Sequence, residues 1–485
     1  MTQSVSLAAP GAHSGTSLLG SSYLDLEELG AARASLLSAA LACSDFCSPA
    51  LDALWRTIDN LTPLLKLLPA VKLVEGVYTL SGLVRASDWT IFQSYAARVR
   101  RVVYRGGVSV AGHSSLYSAL ASGNRPLIPN LTTIRFLGNF VTTGSPFPEA
   151  FLLISSTIRH VEISALGLDD ISTTSFLATL AHTADHISSL VIQTQQSTVF
   201  GDPQALSQSL QDITLLDMRG DLQPHLLRAL SQLPRLVSLS IEFKFVDFPG
   251  VLAYIMNGIV NTPFAALKKL RVRCCSNAVL SIFFIVIPRH ALETLIIDGT
   301  GKREIYLPWN TTITEDILDR WPTSLRRLEI TDLVCALERD PTPCVELRRL
   351  RNLEVFVLRN CSALSFEGLT LPEIAGTLPA LTTLAIPGLA GVSLGGLATL
   401  AESCPLLFDL EVTLAADPLP ALGIVPAAGQ ALRTLNVGAS PCPQGLELLA
   451  HHLDLVFPRL CVLRAEGVDE TRWAQVQTLI GAKAV

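Results

Sequence analysis

One short pattern returns fourteen times along this 485-residue chain, and nothing else in the sequence narrows the fold as much. An apolar residue is followed by two variable positions, a leucine or its equivalent, one more variable position, and then isoleucine, valine or leucine. A weaker first copy, Val99/Val102/Tyr104, precedes Leu131/Ile134/Phe136, Ile158/Val161/Ile163, Ile187/Leu190/Ile192, Ile213/Leu216/Met218, Leu236/Leu239/Ile241 and Leu267/Leu270/Val272. Leu292/Leu295/Ile297, Leu325/Leu328/Ile330, Leu353/Phe356/Leu358, Leu381/Leu384/Ile386, Leu407/Leu410/Val412, Leu432/Leu435/Val437 and Leu460/Leu463/Ala465 complete the series. Successive copies start 23 to 33 residues apart. Their mean of about 28 lies inside the window of roughly 20 to 29 residues that a leucine-rich repeat occupies.

The second half of the unit reads as helix. Apolar residues recur at i, i+3 and i+4 over Thr173–Thr183, Pro224–Leu233, Val251–Val260, Thr314–Arg320, Leu394–Ser403 and Gln444–Val456. Proline then falls where the helix must stop and the next strand begin, at Pro129, Pro234, Pro379, Pro405 and Pro458. It lacks the N–H a helix needs and biases its predecessor towards extended backbone. The expected fold is therefore α/β: a leucine-rich-repeat solenoid of about fourteen repeats over residues 96–485, with a curved parallel sheet inside and helices outside. A doubly wound α/β domain would need longer buried strands and a glycine-rich phosphate turn, and neither is present.

Composition agrees with this fold. Hydrophobic residues make up 49% of the chain and charged ones 16%, with a mean hydropathy of +0.42. Either a membrane or one long shared core must absorb that surface. The best span, Val279–Ile287, stops at Pro288 and falls far short of the ~20 apolar residues a bilayer requires. Three inward residues per repeat, worth roughly 1.5 to 3 kcal/mol each when buried, build such a core without a membrane.

Ahead of the repeats, residues 1–22 read as a disordered tail with no basic and apolar leader, and residues 23–95 as a helical segment and cap. Helical periodicity runs through Leu36, Leu37, Ala40 and Leu41, breaks at Pro49, and resumes with Leu51, Leu54, Trp55 and Ile58. A cap over the open edge of the first repeat accounts for these residues by itself. The run Ala39–Phe46, followed by Pro49–Trp55 and Pro63–Pro69, also resembles the back half of the F-box in fungal F-box/leucine-rich-repeat proteins. That resemblance implies docking through Leu36, Leu37, Ala40, Leu41 and Phe46 onto a Skp-type adaptor of a cullin-based ubiquitin ligase, with substrate presented on the repeat face. The sequence departs from the family at the start of the motif. Where a Leu-Pro-x-Glu opening belongs, the chain offers Tyr23-Leu24-Asp25-Leu26-Glu27-Glu28-Leu29, so the first helix of the motif reads as lost, degenerate or replaced by the tail. The other reading of the same residues is a scaffold or inhibitor solenoid with no ligase link.

Catalysis needs converging titratable groups, and none is recognisable, so the chain reads as no enzyme and implies no cofactor or metal. Gly106-Gly107 and Gly112 are not followed by a phosphate-loop lysine, and His451, His452 and Asp454 sit on an apolar helix. Ten cysteines without a CxxC pair read as reduced core thiols in cytoplasm or nucleus. A net charge of −6 without a basic run makes nucleic acid an improbable partner.

Function then belongs to the strand face. Period-2 alternation points the residues between the inward ones to the concave side. Lys269, Arg271, Arg273, Arg327 and Arg359 form a basic stripe there, with Asp409 and Glu411 making the next stretch acidic. The stripe suits an acidic or phosphorylated segment crossing repeats seven to ten. Ile296 and Asp298 of the eighth repeat lie between, where they either split the patch or satisfy Arg271 or Arg327 internally.

Overall fold

The computed structural model describes residues 26–105, 126–140, 147–166, 170–193, 210–219, 224–243, 263–274, 277–299, 317–332, 349–360, 376–387, 392–415 and 431–481, apart from 185, together with single positions between 116 and 120. The expected tail at 1–22, the helix at Val251–Val260 and the glycines at 106, 107 and 112 lie outside the described residues.

Helix α1 (Leu26–Ala42) packs on α2 (Ser44–Trp55). They lead through the two-residue strand β1 (Thr57–Ile58), the turn of helix α3 (Thr62–Leu65), an antiparallel hairpin of β2 (Val71–Val74) and β3 (Val77–Leu80), and α4 (Ala86–Ala96). Three expectations are corrected here. The break falls at Cys43, whose extended backbone (φ −157°, ψ 144°) ends α1, while Pro49 sits inside α2. As the sixth residue of α2, Pro49 has no N–H to give the Asp45 carbonyl, so the helix runs on with that one bond missing. Moreover, Ile58 belongs to strand β1 rather than to the second helix; of the stretch Tyr23–Leu29, the described residues 26–29 open α1. The segment 23–95 is also not wholly helical, since Glu75 (φ 50°) and Gly76 (φ 80°) form the left-handed pair that closes the β2–β3 hairpin.

The repeats follow as β4 (Arg101–Arg105), β5 (Thr133–Asn139), β6 (His160–Leu166), β7 (Ser189–Gln193), β8 (Leu215–Arg219), β9 (Ser238–Phe243), β10 (Lys269–Cys274), β11 (Thr294–Gly299), β12 (Arg327–Thr331), β13 (Val355–Arg359), β14 (Thr383–Ile386), β15 (Asp409–Val412), β16 (Thr434–Asn436) and β17 (Val462–Arg464). Together with β1 they make one parallel sheet of fifteen strands in the order β1, β4, β5 and so on to β17. Every residue of the fourteen triplets is buried except the half-buried Ala465. Helices return the chain at Asp170–Thr183, Pro224–Ser231, Asn277–Val286, Leu394–Ser403 and Leu446–Val456. The molecule is a leucine-rich-repeat solenoid.

A hydrogen-bond rhythm explains why the register never slips. Just before each strand, one carbonyl accepts two successive N–H groups of the next repeat: Arg100 O takes Thr132 and Thr133 (2.9 and 3.2 Å), and Thr132 O takes Arg159 and His160 (2.9 and 3.0 Å). The series starts inside the cap, where Arg56 O takes Arg100 and Arg101, both at 3.0 Å. Cap and solenoid therefore share one ladder across residue 96.

Aromatic rings fill the first repeats, with Phe136 stacked on Tyr104 and within 5.2 to 5.4 Å of Phe147 and Phe176. A buried carboxyl lies beside them. Glu149 accepts the Leu61 N–H (2.6 Å) and the Tyr104 hydroxyl (3.1 Å), joining the cap to the first repeats. At the other end, the helix Glu470–Gly481 buries Trp473, Val476 and Ile480, and the Trp473 indole donates to Ser440 O at 3.0 Å.

The cysteine expectation needs correction. Among the described free thiols Cys404 and Cys442 are buried, but Cys43 and Cys461 are exposed. Burial pushes the Cys404 thiol up to about 11, so it stays protonated and inert.

Candidate functional site: the strand face

Strand alternation sets three outward positions per repeat, and parallel pairing aligns them into rows across the sheet. The middle row runs Arg135, Glu162, Val191, Asp217, Ser240, Arg271, Ile296, Glu329 and Val357, each beside the next. The third row places Arg273 beside Asp298, and Thr331 beside Arg359. All five residues of the expected basic stripe thus share the strand face, but they stand on three different rows.

Most of their charge is answered within the molecule. Asp298 receives Arg271 at 2.7 Å, Arg273 at 3.2 Å and the Thr331 hydroxyl at 2.8 Å. Partial burial works to raise the Asp298 pKa, and the Arg271, Thr331 and Arg273 contacts outweigh it, holding the carboxyl below its ordinary value. Of the two alternatives left by the sequence, the structure takes internal satisfaction for Arg271, and it adds Arg273. Arg327 pairs with Glu329 of its own strand. Arg359 reaches past β14, where the small Ala385 leaves the way open, and donates from Nε to Glu411 at 3.0 Å. Asp409 is raised by partial burial and by Glu411, against Arg359 and Arg464. Of the stripe only Lys269 is exposed and without an ion pair among the described residues.

A hollow of this face lies nearer the N-terminus than the stripe. A trough of about 800 Å³ runs over β4 to β11, from Arg101 and Thr133 past Ser189, Leu215 and Ser238 to Lys269 and Thr294. Its floor carries two more matched pairs: Arg135 with Glu162 at 2.5 Å, and the Gln193 amide donating to Asp217 at 2.7 Å. A second cleft, of about 930 Å³, opens between α2 and the first repeat, and Arg101 lines both hollows. Sequence reasoning missed Arg101 because the first repeat copy is weak and the residue stands alone.

The five expected adaptor-binding residues lie on the cap. Leu37 and Leu41 are 49% and 79% exposed on α1, one turn apart, and Phe46 is 61% exposed on α2. Leu36 and Ala40 are half-buried. Arg33 of α1 holds Asp59 at 3.3 Å and Arg105 of β4 also pairs with it, fixing α1 against the sheet. His452 is buried, and desolvation lowers its pKa, while His451 stays exposed. No group of three or more metal-ligating side chains occurs among the described residues, and no described helix is long and apolar enough to cross a membrane.

Fold and site thus define a leucine-rich-repeat solenoid with a helical N-terminal cap and a polar strand face. No family model matches the chain, and no curated protein matches its sequence. Solved structures with a similar chain path include the Rad7 and Elc1 complex of yeast (14% identity, TM-score 0.40, covering 77% of each chain). An internalin, InlF, from Listeria monocytogenes is 14% identical with a TM-score of 0.38, covering 86% of this chain and 96% of its own. The leucine-rich repeat-containing protein LegL7 from Legionella pneumophila is 14% identical with a TM-score of 0.34, covering 72% and 99%.

Proposed function

We propose that the chain is a protein-binding solenoid acting as an F-box-type substrate receptor, holding a protein partner on its strand face and a Skp-type adaptor on its cap. The observation that carries the adaptor half is the exposure of Leu37, Leu41 and Phe46. Large apolar side chains left bare on two packed helices are what an interface uses. The strand face supports the other half, because most of its charges are prepaired and its trough is open, a preorganised surface that loses little freedom on binding.

The test is co-purification with the adaptor. Wild-type protein is expected to retain it, and the double variant Leu37→Asp/Leu41→Asp to lose at least tenfold of the retention at an unchanged melting temperature, since both side chains already face water. Equally little adaptor on both proteins sinks the ligase reading and leaves a scaffold or inhibitor solenoid.

A further inference from the structure

We infer that the trough over β4 to β10 receives an extended, carboxylate-rich segment of a protein partner, laid across the strands along their first outward row with an apolar residue near its middle. The inference rests on the reading of the strand face as the protein-binding surface and names what that surface takes.

The row is fixed by register. Arg101, Thr133, His160, Ser189, Leu215, Ser238, Lys269 and Thr294 stand side by side in successive strands. It continues through Arg327, Val355 and Thr383, and the first acidic residue in it is Asp409 on β15. The positions just before the strands repeat the bias: Arg100, Thr132, Arg159, Ser188, Thr214, Val237 and Lys268 precede the first acid, Glu293, which Lys268 binds at 2.8 Å. In a chain of net charge −6, a band free of acids over seven repeats is a local reversal of sign.

The two cations of the row within the trough are also unspent. Arg101 and Lys269 are exposed and have no ion pair among the described residues, whereas Arg135, Arg271, Arg273 and Arg359 of the other two rows are tied to Glu162, Asp298 and Glu411. The hydroxyls of Ser189, Ser238 and Thr294 are half-buried and make no hydrogen bond among the described residues. A line of donors between two cations matches a ligand rich in acceptors. His160 senses the same field: partial burial, then Arg101 and Arg159, lower its pKa. Leu215, 38% exposed at the middle of the row, calls for one apolar contact.

Length sets the segment. Six strand steps of about 4.8 Å separate Arg101 from Lys269, some 29 Å, which about nine extended residues span at ~3.3 Å each. Beyond Arg101 the track enters the cleft beside α2, where Arg56 and Arg100 await further carboxylates. A nucleic acid is the other anionic polymer, but its charge density calls for many phosphate contacts, and the row offers few cations set far apart.

The probes are fluorescein-labelled ten-residue peptides: oligoglutamate with a central leucine, the same peptide with phosphoserine for glutamate, and oligolysine, beside a ten-nucleotide single strand. On the full-length protein the glutamate peptide is expected to bind, to weaken as salt rises, and to outbind oligolysine and the oligonucleotide. Arg101→Glu/Lys269→Glu should cut its affinity at least tenfold, while Arg349→Glu, whose partner Asp319 lies outside the trough, changes it less than twofold. Ser189→Arg/Ser238→Arg, which adds cations to the row, should bind it more tightly, and that gain does not depend on the reversed variant folding. Equal affinity of wild type and Arg101→Glu/Lys269→Glu, no gain from the added arginines, no binding of the glutamate peptide, or preference for the phosphoserine peptide or the oligonucleotide overturns the inference. Adaptor co-purification is read on the same proteins, so failure of the probe and failure of the receptor reading are told apart.

Discussion

Replacing Leu328 by aspartate is expected to unfold the middle of the solenoid. Leu328 is 3% exposed at the centre of β12, beside Leu295 of β11 and Phe356 of β13. The variant forfeits a burial worth roughly 1.5 to 3 kcal/mol, and it also places a charge where no cation or donor waits. The sum exceeds about 4 kcal/mol, the range reached only by such lesions. Because a repeat touches only its neighbours, the damage should be local first, with trypsin cutting at Arg326 and Arg327 before the ends of the chain yield. Next to it, Arg327→Glu faces outward and disturbs only a half-exposed pair with Glu329, so it should cost no more than about 1 kcal/mol. A Leu328→Asp protein with undiminished melting temperature and protease resistance would refute the inward assignment of the triplets.

The second large effect is expected at Glu149. Burial pushes this carboxyl up to about 7, against the downward pull of its hydrogen bonds with Leu61 and Tyr104. The folded protein therefore holds the proton more tightly than the unfolded chain, whose carboxyl titrates near its ordinary value. The stability it lends is complete below about pH 4.5 and fades as pH rises towards about 7, by roughly 3 kcal/mol across that window. Glu149→Gln keeps an acceptor for both donors and cannot ionise. It should match the wild type at pH 5, melt several degrees higher at pH 8, and flatten the pH dependence between them. Parallel melting curves for the two proteins at both pH values would contradict this account.

The repeat half of the molecule was legible because its signal is redundant: each triplet states the same inward spacing, and a misread copy is corrected by its neighbours. The cap had no such redundancy. Its hairpin was missed although Glu75 and Gly76 form a two-residue turn, because the flanking Val71–Val74 and Val77–Leu80 are at best half-buried and show no clean alternation. On the strand face, the sequence placed the basic residues on the strand side and offered Asp298 as one partner for Arg271, but it did not disclose the pairing of Arg359. Arg359 finds Glu411 two strands away, a distance set by the sheet and invisible in linear order. Glu149 belongs to no motif, and its partners stand 88 and 45 residues distant, so only the folded chain reveals it.

One side chain at the far end occupies the open edge of the sheet. The Gln477 amide lies along β17 as a further strand would, its oxygen accepting the Leu463 N–H and its nitrogen donating to Cys461 O at 3.0 Å. An open parallel edge of this length invites a second chain to continue the sheet. With the Leu463 N–H and the Cys461 carbonyl occupied, the first rung that a second chain would use at this end is already taken.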